Sequence, residues 1–144
     1  MKSLEPFKIF LVDDDYLYLK LLEIEFLEQA NFEIHAYTSG EDCIRNLNKK
    51  PDLIILDYHL DGINKQALTG IQALDEIKKL DADIPIVIFS SQDKIEVAVE
   101  CMHHKAYDYV VKSETAFHRI KHIIDRISKF NHMESQLDWY MDRM

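Results

Sequence analysis

Short apolar runs alternate with amphipathic stretches along most of the chain. Five runs have the length and the β-branched or aromatic content of strands, at 7–12, 32–37, 53–56, 85–89 and 107–111. Apolar residues at helical spacing predict helices over 16–30, from an N-cap at Ser39 to about Asn48, over 70–80 and 94–105, and from Thr115 onward. Strict alternation of strand and helix predicts an α/β fold, a doubly wound parallel sheet of five strands with helices on both faces.

Composition narrows the class of protein. A chain of 144 residues with a net charge of −9 predicts one acidic domain, and this charge argues against direct binding to nucleic acid, which needs a basic surface. Cys43 and Cys101 are isolated and are interpreted as buried, reduced thiols of a cytoplasmic protein. No apolar run reaches transmembrane length and no signal-peptide pattern opens the chain, so neither a membrane partner nor secretion is expected.

Three of the predicted strands end in charged residues. The first is followed by Asp13, Asp14 and Asp15, the third ends at Asp57, and the fifth is followed by Lys112. Because the carboxyl ends of the strands form the ligand crevice of an open parallel sheet, we expect these groups to converge. Carboxylates beside a lysine indicate a site for a divalent metal ion and a phosphoryl group.

The same residues carry a resemblance to a known family. From about residue 7 to 128 the chain resembles the receiver domain of two-component response regulators. Asp13 and Asp14 match the family's acidic pair after the first strand, and Asp57 matches its phosphoacceptor aspartate. Ser90 matches a hydroxyl residue after the fourth strand. Tyr109 matches an aromatic residue in the fifth strand, and Lys112 matches the lysine that follows it.

The resemblance implies a chemistry and a fold. It implies the strand order 2-1-3-4-5, and a bacterial signalling phosphoprotein that accepts a phosphoryl group on Asp57 from a sensor histidine kinase or a histidine phosphotransfer protein. Mg²⁺ would be bound by Asp14, by Asp57, by the main-chain carbonyl of His59 and, through water, by Asp13. The domain would catalyse its own phosphorylation and hydrolysis without being a conventional enzyme.

The resemblance also implies a switch. Lys112 and Ser90 would bind the phosphoryl oxygens, and the ring of Tyr109 would then turn inward. The face made by the fourth helix, the fifth strand and the fifth helix would change its affinity for an effector that the sequence does not identify.

Three features of the chain are notable against the usual pattern of the family. The loop over residues 61–69 is about five residues longer than usual, because Gly70 lies thirteen residues after Asp57. Ser113 replaces the customary proline after Lys112, so the peptide bond between them is either trans or a cis bond of a non-proline residue. His59 and Gln92 occupy positions that tune the hydrolysis rate in the family.

Other interpretations of these residues stay open. The acidic run is also typical of a turn with an N-cap, and Ser91 is typical of an N-cap for the fourth helix. Tyr109 could equally occupy a core position. A haloacid-dehalogenase-like phosphatase would use Asp13 and Asp15 and leave Asp57 idle. A pseudo-receiver would bind partners without phosphorylation. A flavodoxin-like electron carrier is disfavoured because no phosphate-binding loop rich in Ser, Thr and Gly follows the first strand.

The C-terminal residues predict an extension. We expect a receiver domain over residues 1–130 and a partly helical tail over 131–144. Apolar residues continue there at alternating spacings of three and four, at positions 120, 123, 127, 130, 137, 141 and 144, and Glu134 interrupts the series. Two heptads are too few to predict a coiled coil, so a homodimer contact, a tail folded on the domain and a linker to an output domain remain alternatives.

Overall fold

The computed structural model describes residues 6–28 and 31–143, and a parallel sheet of five strands lies at its centre. The strands are β1 (Phe7–Val12), β2 (Phe32–Tyr37), β3 (Leu53–Asp57), β4 (Ile86–Ser90) and β5 (Asp108–Val111). Their order is β2-β1-β3-β4-β5, and every neighbouring pair is parallel. The predicted fold class and strand order are therefore confirmed.

Five helices connect and follow the strands. They are α1 (Tyr16–Leu27), α2 (Gly40–Arg45), α3 (Gly70–Leu80), α4 (Ile95–His103) and α5 (Ala116–Asp142). Helix α1 ends before the predicted Ala30, which lies outside the described residues, and α2 gives way to a 3₁₀ turn over Leu47–Lys49. The prediction that Ser91 caps α4 is wrong: Lys94 is the N-cap and makes no side-chain bond to the helix.

Two apolar clusters cover the two faces of the sheet, because successive side chains of a strand point to opposite faces. One cluster joins residues such as Ile9 and Leu11 to α1 and α5, and the other joins Phe10 and Val12 to α2, α3 and α4. Strand β3 is buried at all five positions, which explains why its sequence is apolar until Asp57. Both cysteine thiols are buried in the second cluster, and burial raises their pKa values.

Helix α5 continues well past the sheet. Its last buried residue is Ile127, and the fifteen residues after it extend the helix by about 22 Å. Large side chains on this extension are exposed, including Phe130, Leu137 and Trp139. In the described part of the chain, no helix has both the length and the hydropathy needed to cross a bilayer.

The segment between β3 and α3 is closed at its base. The main-chain N–H of Gly70 donates to the carbonyl oxygen of Tyr58 at 3.0 Å, so the residues between them leave the sheet and return to the same point. Leu60 is buried within this segment, and the N–H of Leu68 donates to the carboxylate of Glu41. Thr69 starts α3 with a capping box to Gln72.

Replacing Gly70 with alanine should destabilise the protein by about 2 kcal/mol, since overpacking a close contact costs more than the gain in helix propensity. A Cβ atom there would lie 2.5 Å from the carbonyl oxygen of Asp57 and 2.7 Å from Cα of Tyr58, both of which are main-chain atoms. Urea unfolding measures the loss. Gly62→Ala is the matched control, because its Cβ would meet only a carboxylate side chain. Equal stability of the two variants would contradict the steric explanation.

Candidate acidic site at the strand ends

Three carboxylates meet at the carboxyl end of the sheet. Oxygen atoms of Asp13, Asp14 and Asp57 all lie within 4.8 Å of one another. Asp13 and Asp57 are buried and Asp14 is half-buried. β1 and β3 are hydrogen-bonded neighbours, which brings the ends of these two strands together. The structure therefore brings together Asp13, Asp14 and Asp57 as predicted, whereas Asp15 lies outside the cluster.

Lys112 reaches the same point from the end of β5. Its Nζ lies 2.9 Å from a carboxylate oxygen of Asp13 and 3.5 Å from one of Asp57. The ammonium group also lies 4.3 Å from the centre of the Tyr18 ring, a distance at which the two form a cation–π interaction. The peptide bond between Lys112 and Ser113 is trans, the first of the two alternatives left open by the sequence.

The electrostatics of the cluster disfavour the ionised form of Asp57. Burial, followed by the nearby Asp13 carboxylate, raises the pKa of Asp57 to about 7, although Lys112 and the main-chain N–H of His59 act in the opposite direction. Burial, followed by the carboxylates of Asp13 and Asp57, raises the pKa of Tyr18 to about 12. If all three carboxylates of the cluster were ionised, one lysine would not balance them, and the cluster would carry an excess of negative charge.

The donor set fits a hard divalent cation. Carboxylate oxygens are preferred ligands of Mg²⁺, which uses one or two carboxylates and keeps several water molecules. A cation beside Asp57 would favour its ionised form and reverse the pKa shift described above. The cluster of Asp13, Asp14 and Asp57 therefore suits Mg²⁺, and the assignment of Asp14 and Asp57 as its direct ligands stays a prediction.

The hydroxyl groups of Ser90 and Tyr109 interact with each other, and each is also hydrogen-bonded to the main chain of Gln92. Ser90 is fully buried at the end of β4, and its hydroxyl oxygen accepts from the N–H of Gln92 at 3.1 Å. The hydroxyl of Tyr109 donates to the carbonyl oxygen of Gln92 at 2.7 Å, and the ring is buried. In this structure the aromatic ring already points inward.

His59 lies at the edge of the site. Its main-chain N–H is hydrogen-bonded to Asp57, and its ring Nε2 lies 3.2 Å from the side-chain nitrogen of Gln92. Two loops, one after β3 and one after β4, are thereby linked beside the phosphoacceptor candidate. The assignment of the His59 carbonyl as a metal ligand stays a prediction.

The acidic run makes two further contacts, of which one was an open alternative in the sequence analysis and the other was not predicted. Asp15 is the N-cap of α1 and accepts from the N–H groups of Leu17 and Tyr18, as the alternative interpretation of the run proposed. The N–H of Gly62 donates to a carboxylate oxygen of Asp14 at 3.0 Å. The longer loop therefore touches the acidic site, and only its unusual length gave a signal in the sequence.

Comparison with known proteins agrees with this geometry. The model of the response regulator receiver domain family matches residues 9–125. The chain belongs to this family. The receiver domain of NtrX from Brucella abortus has a solved structure that is 30% identical, covers 83% of this chain and 96% of that one, and superposes with a TM-score of 0.70.

Curated relatives are longer proteins. A protein-glutamate methylesterase/protein-glutamine glutaminase of Clostridium acetobutylicum is 33% identical over 92% of this chain and 38% of its own length. The luminescence regulatory protein LuxO of Vibrio campbellii is 34% identical over 60% of this chain and 18% of its own length. The chain thus spans less than half the length of either relative.

Replacing Asp57 with asparagine should stabilise the metal-free protein increasingly as the pH rises from about 4 to about 7. The carboxyl releases its proton near pH 3.8 when unfolded and near pH 7 when folded, so the native state binds the extra proton and loses stability through this window. The difference from wild type should reach the order of 2 to 4 kcal/mol above pH 7, as about three pKa units imply.

Urea unfolding in EDTA at several pH values measures this difference. Asp15→Asn is the matched control, because Asp15 is exposed and asparagine also caps helices. A difference between Asp57→Asn and wild type that does not change with pH would contradict the assigned pKa shift.

Proposed function

We propose that this receiver domain is a phosphorylation-dependent switch that accepts a phosphoryl group on Asp57 with Mg²⁺. The observation that carries the proposal is the cluster of three carboxylates with Lys112 within 3.5 Å of Asp57. Membership of the family supports it. The donor would be a sensor histidine kinase or a histidine phosphotransfer protein.

Each residue of the cluster has a task in the transfer. Asp57 attacks phosphorus with a carboxylate oxygen while the bond to the donor nitrogen breaks. Lys112 approaches the transferred group as a point charge and offsets its negative oxygens. Mg²⁺, when bound, would neutralise the charge that develops between the carboxylates and the phosphoryl group. Asp13 holds Lys112 through a 2.9 Å contact and so positions it.

The readout would pass through Gln92. Phosphoryl oxygens on Asp57 offer the Ser90 hydroxyl a new acceptor, and Ser90 is hydrogen-bonded to Gln92, whose carbonyl holds Tyr109. Movement of this loop would change how tightly the Tyr109 ring is held inward. The resulting bias of a two-state element would alter the surface formed by α4, β5 and α5 for a downstream effector.

The phosphatase alternative is less well supported. Its second aspartate would be Asp15, which is an exposed N-cap occupied by two main-chain N–H groups of α1. A pseudo-receiver is also less well supported, because the acidic residues and the lysine are present and close together. The cytoplasmic location and the absence of direct nucleic-acid binding remain predictions from the sequence.

Acetyl phosphate with Mg²⁺ should phosphorylate the wild-type protein but not Asp57→Asn, because asparagine has no carboxylate to attack phosphorus. Mass spectrometry of the intact protein measures the incorporation. Asp15→Asn should be labelled like wild type and serves as the control. Labelling that survives in Asp57→Asn and disappears in Asp13→Asn would contradict the receiver chemistry and favour the phosphatase.

An apolar stripe on α1 begins at the edge of the acidic site. Leu17, Leu21 and Ile24 lie on one side of the helix and are 75%, 62% and 54% exposed. Leu17 also lines a shallow pocket with Asp14 and Ile63, which connects the stripe to the site. Exposed apolar stripes of this kind mark interaction surfaces. We therefore propose that the phosphodonor protein packs on this stripe.

Replacing Leu21 with glutamate should slow phosphoryl transfer from a phosphorylated histidine kinase by about tenfold, as the loss of one apolar anchor implies. Labelling by acetyl phosphate should not change, since this small donor needs no docking surface. Leu80→Glu on α3 is the matched control, because Leu80 is also an exposed leucine on a helix. Equal slowing by both variants, or slowing with acetyl phosphate, would contradict the docking role.

We further propose that residues 131–144 form an extension outside the switch. Of this segment, residues 131–142 continue α5 beyond its last buried residue, and apolar side chains there, among them Leu137 and Met141, are exposed. Exposed apolar side chains of this kind mark an interaction surface, so we expect the extension to pack on another protein surface. Whether this surface belongs to a second copy of the chain stays a prediction.

A further inference from the structure

Two histidines on α5 form a pair that the proposed switch does not use. His118 and His122 are exposed and lie four residues apart, which places them on the same side of the helix. Their Nε2 atoms are 3.2 Å apart, and their ring centroids are 4.7 Å apart with the planes at 90°. The two rings thus present their outer nitrogens to a common point in the solvent.

The separation of the two nitrogens matches a shared metal ion. Zn²⁺ binds imidazole nitrogen at about 2.0 to 2.1 Å, and two such bonds to nitrogens 3.2 Å apart enclose an angle of about 100°, close to tetrahedral. We propose that His118 and His122 bind a divalent transition-metal ion of the Zn²⁺ class through Nε2. The two remaining positions of a tetrahedral ion would be held by solvent.

A hydrogen bond between the rings explains the same distance without preventing metal binding. One ring would then donate an N–H from Nε2 to the Nε2 lone pair of the other. When both Nε2 atoms bind the ion, the donating ring carries its hydrogen on Nδ1 instead, so the change is one of tautomer. No movement of the helix backbone is needed, because the nitrogens already have the required separation.

This site would select a different ion from the acidic cluster. Imidazole suits Zn²⁺, Cu²⁺ and Ni²⁺, whereas Mg²⁺ prefers the carboxylate oxygens at the strand ends. Other histidine rings are engaged with side chains of other types: His35 with Glu33 and His104 with Asp75, each at 2.8 Å. His118 and His122, by contrast, engage each other, and their Nε2 atoms lie 3.2 Å apart.

Titration of the whole chain with Zn²⁺ against a colorimetric chelator tests the site. Excess Mg²⁺ occupies the acidic cluster during the titration, and the Asp57→Asn protein is titrated in parallel to identify any Zn²⁺ bound there. We expect one ion per chain that is independent of Asp57. His118→Ala and His122→Ala should each weaken Zn²⁺ binding by at least about tenfold. Loss of a residue that merely orients a metal ligand already lowers metal affinity by about tenfold or more, and these variants remove a ligand itself.

His132→Ala is the matched control, because this residue is an exposed histidine on the same helix. This control should leave the Zn²⁺ affinity unchanged. Zn²⁺ should raise the melting temperature of wild type but not that of the double variant, which carries both His118→Ala and His122→Ala. Circular dichroism checks that the variants keep their helix content. Wild-type affinity in the double variant, or an equal loss in His132→Ala, would overturn the proposal. These results do not depend on phosphorylation of Asp57.

Discussion

The burial of two neighbouring carboxylates is the constraint on which the acidic site depends, and the repulsion between them adds to its cost. Asp13 and Asp57 sit at the ends of neighbouring strands with their side chains almost fully removed from water. Strands β1 and β3 are anchored on both faces by apolar residues, so the two groups cannot separate without disrupting the core. The packing energy of the sheet therefore keeps charges together that would separate in solution.

This arrangement makes the site receptive to positive charge. Lys112 relieves part of the repulsion, and its contact with Asp13 is closer than its contact with Asp57. Asp57 thus has the more distant lysine contact, and burial together with the Asp13 carboxylate raises its pKa. A divalent cation bound here would offset the repulsion that the fold maintains, and it would favour the ionised form of Asp57 that the proposed phosphoryl transfer needs.

The sequence predicted most of the fold because its signals are local and regular. The apolar runs, the N-cap at Ser39 and the start of α3 at Gly70 follow from spacing and residue type alone. Strand order came from the resemblance to a family, since no residue pattern in one strand states which neighbour it pairs with. The early end of α2 was missed because its 3₁₀ turn keeps the apolar spacing of a helix.

The residues of the acidic site that follow strands could be predicted from the sequence, whereas the contacts made by loops could not. Asp13, Asp14, Asp57 and Lys112 follow strands, and parallel strands bring their ends together. The contact from Gly62 to Asp14 and the link between His59 and Gln92 join segments far apart in the chain. Such contacts depend on the path of a loop, which no periodicity encodes.

The closed base of the segment between β3 and α3 has a consequence for protein engineering. Because Gly70 returns the chain to Tyr58, the exposed tip around Lys65 and Gln66 is mechanically separate from the sheet and from the start of α3. A fluorescent reporter inserted at this tip would leave the strand ends in register. The N–H of Gly62, a few residues before this tip, contacts Asp14, so a change at the acidic site has a short path along the chain to such a reporter.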